Sequence, residues 1–173
     1  MKKTKKLLAC LIAAATMFTM GSTAFAAEAT PTDQETVIVK KVYKLKNEGT
    51  TSPAETFTLK QVGKGSVSDS DATAAPDLGI ITGAEFAKGA ATVDGTTGNI
   101  TVALPTYDKV GVYEYTLREV AGTKAGVTYY GNDIKLKVTV VNGTNEKLRI
   151  AAVHTESTEK NPIHLKTHIL QEH

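Results

Sequence analysis

A single lysine does most to restrict what this chain can become. In Thr36 to Asn47, TVIVKKVYKLKN, side chains two apart share a face if the stretch is a β-strand. Val37, Val39, Tyr43 and Leu45 then form one apolar row with Lys41 in its middle, while Ile38, Lys40, Val42, Lys44 and Lys46 form a more polar opposite row. A lysine in a core row is almost never fully buried unless something pairs with it. The rest of the chain can be searched for that partner.

A second strand carries the same signature. In Val112 to Val120, VYEYTLREV, alternation puts Tyr113, Tyr115, Leu117 and Glu119 on one face, again an apolar row with one charge in it. Lys41 and Glu119 are thus candidates to meet across a core. The alternative at this level is that both lie at strand ends and extend their polar tips to water.

The remaining pattern is that of an all-β chain. Thr56 to Val62, Gly98 to Leu104, Ile134 to Val141 and Lys147 to Val153 read as strands, the last two flanking a hairpin signal at Asn142-Gly143-Thr144-Asn145. Gly63 to Asp77 reads as a long exposed loop, and Gly79 to Lys88 as a strand with a short helix. Many short strands without an internal repeat point to an antiparallel, Ig-like β-sandwich.

The first 26 residues place four lysines before an apolar run and end in Ala24-Phe25-Ala26, the layout of a secretory signal peptide cleaved after Ala26. Residues 27–35 read as a flexible leader, 36–167 as the sandwich and 168–173 as an aberrant tail. Loss of the four signal lysines leaves 16 basic residues against 18 acidic ones, which gives no reason to expect nucleic acid as a partner. The one cysteine, Cys10, lies inside the signal, so the exported domain has no disulfide to staple it. No other apolar run approaches the roughly 18 residues of a membrane span. His164, His168 and His173 lack the companions a metal site needs, and no cofactor motif is present.

Three stretches together resemble a family. VxVxKxxxL at the start, GVYxYxLxE in the second half and KNPI at Lys160 to Ile163 look like the isopeptide-bonded (CnaB-like) domain of Gram-positive, streptococcal-type backbone pilins. The resemblance spans about Thr36 to Lys166, and GVYEYTLRE is its most specific piece. It implies that Lys41 is the amine of an intramolecular Lys–Asn amide bond and Glu119 the carboxyl group that promotes it. An amine attacks a carbonyl only when unprotonated, and burial among apolar groups favours that neutral form. A protonated acid beside it can polarise the amide and pass a proton to departing ammonia. A bond between first and last strands would carry tension applied to the termini. Lys160 falls where such pilins place the lysine that sortase joins to the next subunit, and an ordinary solvated lysine is the competing reading.

The chain departs from the family at one decisive place. The slot of the bonded Asn holds Thr167, which has no carboxamide to displace. Asn161 lies six residues earlier, roughly 20 Å along a strand, too far to substitute. With a suitable choice of synonymous codons, the tail from His164 reads in another frame as Phe-Lys-Asn-Thr-Tyr-Leu-Ala-Gly-Ala, so a frameshift that truncated the domain is the expectation. The resulting reading is a structural subunit of a cell-wall pilus or adhesin stalk on the Gram-positive surface. It is not a turnover enzyme, and its partners are other pilin subunits and sortase. The alternative is a free-standing secreted binding module that takes a host protein or glycan through the Gly63 to Asp77 loop. A small hydrolase is disfavoured because no nucleophile and base can be named.

Overall fold

The computed structural model describes residues 29–157. The elements in chain order are β1 (Thr36–Tyr43), β2 (Glu55–Phe57), β3 (Leu59–Gln61), β4 (Ser66–Ser68), β5 (Ile81–Thr82), β6 (Ala84–Phe86), β7 (Thr96–Ala103), β8 (Gly111–Glu119), β9 (Ile134–Asn142) and β10 (Leu148–Ser157). No helix occurs among the described residues. One sheet runs β1-β7-β5, a second runs β10-β9-β8-β3 with β4 also on β8, and β2 and β6 form a two-stranded ribbon. Every pair of strands is antiparallel, as expected of an Ig-like sandwich.

The core forms where the inward rows of the two larger sheets meet. Val37, Val39 and Tyr43 from β1, with Ile100 and Val102 from β7, join Tyr113, Tyr115 and Leu117 from β8 and Leu136, Val138 and Val140 from β9 in one buried cluster. Fully burying an aliphatic or Phe side chain of this size is worth about 1.5–3 kcal/mol. The period-2 pattern read from the sequence is therefore also the pattern of burial, strand by strand.

Several local expectations are corrected. Thr56 to Val62 is two strands: β2 pairs with β6, whereas β3 pairs with β8. The chain passes from one sheet to another at Thr58 while Phe57 and Leu59 both stay buried, so the alternation shows no break. Gly83 lies against this crossing, where a Cβ would sit 2.8 Å from the Phe57 carbonyl oxygen. Gly79 to Lys88 contains no helix; Ala84 and Phe86 are buried around an exposed Glu85, the period of a strand.

The Gly63 to Asp77 stretch is only partly a free loop. Ser66, Val67 and Ser68 pair with Glu114, Tyr113 and Val112, and Ala75 is buried. In the β9–β10 hairpin the positive φ values fall on Asn145 and Glu146, not on Gly143. Gly143 serves instead for close approach, since a Cβ there would lie 2.7 Å from the Lys147 carbonyl oxygen.

The described part of the leader is stitched to the domain. The Thr30 N–H donates to the Glu146 carbonyl at 3.0 Å, the Leu148 N–H to the Thr30 carbonyl at 2.8 Å and the Thr32 N–H to the Tyr107 carbonyl at 2.9 Å. Composition suggested mobility because polar residues in a short segment provide little apolar area. Backbone hydrogen bonds, which carry no composition signal, hold it in place.

Candidate functional site: an amine and a carboxyl group between the sheets

β1 alternates in burial as eight consecutive residues should, and Lys41 occupies an inward position between Val39 and Tyr43. Glu119 is the last residue of β8 and occupies the inward position after Leu117. One belongs to the three-stranded sheet and the other to the five-stranded sheet. Their side chains meet across the interior, with Lys41 only 8% and Glu119 5% exposed. Reaching to water from strand ends is thereby excluded for both.

The Lys41 Nζ lies 2.6 Å from Glu119 Oε1 and 2.9 Å from Oε2. The aligned hydrogen bond goes to Oε2, which also accepts the backbone N–H of Tyr130 at 2.7 Å. Oε1, although close to the amine, receives no aligned hydrogen bond. The amine also stands 4.3 Å from the centroid of the Phe57 ring, a cation–π contact when Lys41 is charged. Phe57 is fixed by edge-on packing against Tyr43 and Phe86, at centroid separations of 5.0 and 5.7 Å.

The connection from β8 to β9 folds back beside this pair. Tyr129 packs its ring on Phe57 at 5.7 Å and donates its hydroxyl to the Glu55 carboxylate. That bond holds the Glu55 carboxyl below its ordinary value and pushes the Tyr129 hydroxyl up. Together with Lys41, Tyr43, Phe57, Tyr129 and Tyr130, neighbouring residues line a cleft of about 820 Å³. Aromatic rings form part of its wall, and Lys41 lines it.

Removing an amine and a carboxyl group from water costs several kcal/mol per charge, and their attraction repays this only with good geometry. Chemically, the pair can share one proton. Proton transfer to Glu119 leaves a neutral, nucleophilic amine next to an acid. No group of three or more His, Cys, Asp or Glu suited to a metal ion occurs among the described residues, nor does a helix long and apolar enough to cross a membrane.

Of the residues singled out from the sequence, the fold brings Lys41 and Glu119 together. Lys160, Thr167, His164, His168 and His173 lie outside the described residues. Phe57 and Tyr130 were not anticipated. Phe57 looked like an ordinary core position, and Tyr130 reaches Glu119 through its backbone, which any residue but proline could do. The Tyr129-Tyr130 doublet in an otherwise turn-rich stretch was the one available signal.

A family model described as FctA, the Spy0128-like isopeptide-containing domain, matches residues 37–166. No curated protein and no solved structure matches the chain. The matched span starts in β1 and contains both Lys41 and Glu119, the two charged groups that the fold buries together. The chain belongs to the FctA family of Spy0128-like isopeptide-containing domains, and is a Gram-positive pilin domain.

Proposed function

We propose that the chain is a structural subunit, or the first domain of one, in a covalently assembled pilus or adhesin stalk on the Gram-positive cell surface. Lys41 supplies the amine and Glu119 the promoting acid of an intramolecular isopeptide bond. One observation carries this reading. A lysine and a glutamate 78 residues apart in sequence share a hydrogen bond inside the core, where a purely structural sandwich gains more from two aliphatic side chains. Thr167 stands in the slot of the bonded Asn, so the chain as written leaves the amine unacylated. Lys160 is the candidate for intermolecular joining by sortase.

Intact mass tests the chemistry. Amide formation with an Asn releases ammonia and lowers the mass by about 17 Da. The chain as it stands is expected at full mass, Thr167→Asn at the reduced mass, and Thr167→Asn with Glu119→Ala at full mass again. A Thr167→Asn chain that folds and keeps its full mass would remove the assignment of that slot. A deficit in the unaltered chain would show that another Asn had been recruited. Incubation with sortase tests assembly: ladders that disappear in Lys160→Arg support the pilin role, and their absence with capture of a host ligand supports the binding module.

A further inference from the structure

Between β8 and β9 the chain makes a long excursion, Val120 to Asp133. None of its residues is buried, and Ala121 to Gly126 are exposed throughout. It turns back through a hydrogen bond from the Val127 N–H to the Lys124 carbonyl at 3.2 Å and returns to line the same cleft as Lys41. Two adjacent residues then hold it down. The Tyr129 hydroxyl donates to the Glu55 carboxylate and its ring packs on Phe57, while the Tyr130 N–H donates to Glu119 Oε2 at 2.7 Å. The Tyr129 hydroxyl also lies against Gly122, where a Cβ would collide with it, so the two halves of the excursion close on each other. A segment with no buried residue of its own is held only by such ties, and it opens locally while the strands beside it stay paired.

We infer that Val120 to Asp133 is a strap over the Lys41–Glu119 pair, fastened by the Tyr129–Glu55 bond, and that its opening is the step that admits solutes to the amine. Closed, it leaves the Lys41 side chain 10% and the Glu119 side chain 2% exposed. Opening withdraws the Tyr130 N–H from Glu119 and the Tyr129 ring from Phe57, so the acid loses a donor and the ring beside the amine loses its cover. Tyr129 is therefore a positioning residue, acting through Phe57 and through the neighbour whose N–H holds the acid. Glu55 and Phe57 stand two apart on β2 and share a face, so one short strand presents both the fastening and the ring against the amine. A hydroxyl donating to a carboxylate is charge-assisted and stronger than a bond between neutral groups. This inference deepens the reading of Lys41 as an amine to be acylated by naming what controls access to it, and the strap is tested without that chemistry.

Brief labelling with acetic anhydride, followed by peptide mass mapping, reads the access to each lysine. Lys64, with its side chain 82% exposed, is the internal reference. In the parent chain Lys41 is expected to label far more slowly than Lys64. Tyr129→Phe is expected to raise the Lys41 rate by about 10-fold, the scale for losing one hydrogen bond to a charged group, with the Lys64 rate unchanged. Glu55→Gln, which keeps an acceptor and removes the charge, is expected to raise it less. Tyr113→Phe loses its bond to the Lys109 carbonyl near the other end of β8, and is expected to label Lys41 at the parental rate.

Hydrogen exchange supplies a second readout. In Tyr129→Phe the Tyr130 amide is expected to exchange faster while those of Leu136 and Val138 within β9 keep their protection. Parental labelling of Lys41 in Tyr129→Phe overturns the strap. So does equal acceleration in Tyr113→Phe, or a Tyr130 amide that exchanges only together with those of β9, because access would then follow unfolding of the whole domain. If Thr167→Asn forms no cross-link, the acylation reading falls, and the labelling rates still decide whether the strap exists.

Discussion

Two polar clusters are buried in the same core, and they are built differently. At Glu119 the groups are ionisable: the Lys41 amine lies 2.6 Å from one carboxyl oxygen, and the other accepts the Tyr130 N–H at 2.7 Å. At Tyr107 the groups are neutral and complete. The Tyr115 hydroxyl donates to the Tyr107 hydroxyl at 3.2 Å, the Tyr113 hydroxyl donates to the Lys109 carbonyl at 2.8 Å, and the Tyr107 N–H donates to the Thr32 hydroxyl at 3.0 Å. The Tyr113 bond ties the start of β8 to the turn before it, much as the tyrosine corner does in Ig-like sandwiches. A cluster that only holds a fold can satisfy itself, because nothing else must enter. A cluster built from an amine and an acid carries a desolvation cost that neutral hydroxyls avoid.

The largest test of this contrast is to break the ionic cluster on one side. Glu119→Ala leaves the Lys41 amine buried without its carboxyl partner and is expected to destabilise the domain by about 3–5 kcal/mol in denaturant unfolding. Replacing both, as Lys41→Met with Glu119→Leu, is expected to be neutral or stabilising by about 1–4 kcal/mol. A double variant as unstable as the single one would mean that the pair contributes to the fold, erasing the distinction from the tyrosine cluster.

The neutral cluster should respond to alkali. Burial pushes the Tyr115 hydroxyl up to about 12 from its ordinary 10, with burial also the largest cause of the upward shift at Tyr107. The folded form thus holds these protons more tightly than the unfolded chain. Their stabilisation is complete below pH 10 and is lost as the pH rises through the folded-state value. For Tyr115, two units correspond to roughly 2–3 kcal/mol lost between pH 10 and 12. Unfolding followed across that window should show the fall, and Tyr115→Phe should flatten part of it. A flat profile in the parent would show that the hydroxyl reaches water.

The smallest expected effect comes from a pair that belongs to neither cluster. Lys64 and Asp77 meet at 2.5 Å, yet their side chains are 82% and 53% exposed. Lys64→Ala is expected to leave the denaturant midpoint almost unchanged and to matter least at high salt. A larger loss would mean that the Gly63 to Asp77 stretch is held from its base by this contact, making it a stiffer part of the fold than its composition implies.

How much of this was readable depends on which contacts are local. The inward rows of β1 and β8, and the presence of one charge in each, follow from a period of two that any extended strand obeys. Lys41 and Glu119 could therefore be selected from residue order alone. The crossing at Thr58 could not, because a strand that changes sheet keeps its alternation while its hydrogen-bond partner changes from β6 to β8. Nor could the attachment of Thr30 and Thr32, made chiefly by backbone groups that every residue possesses.

Residue order alone determined that this chain is a set of short strands with an amine and an acid assigned to the inner side. Only the tertiary structure decided that the two charges meet from opposite sheets, that Phe57 lies beneath the amine and that Tyr130 holds the acid. The physical reason is range. Side-chain alternation is set between neighbours along one strand, whereas the partner of a buried charge is chosen by how separate sheets pack, and a backbone N–H that completes the site has no letter in the sequence.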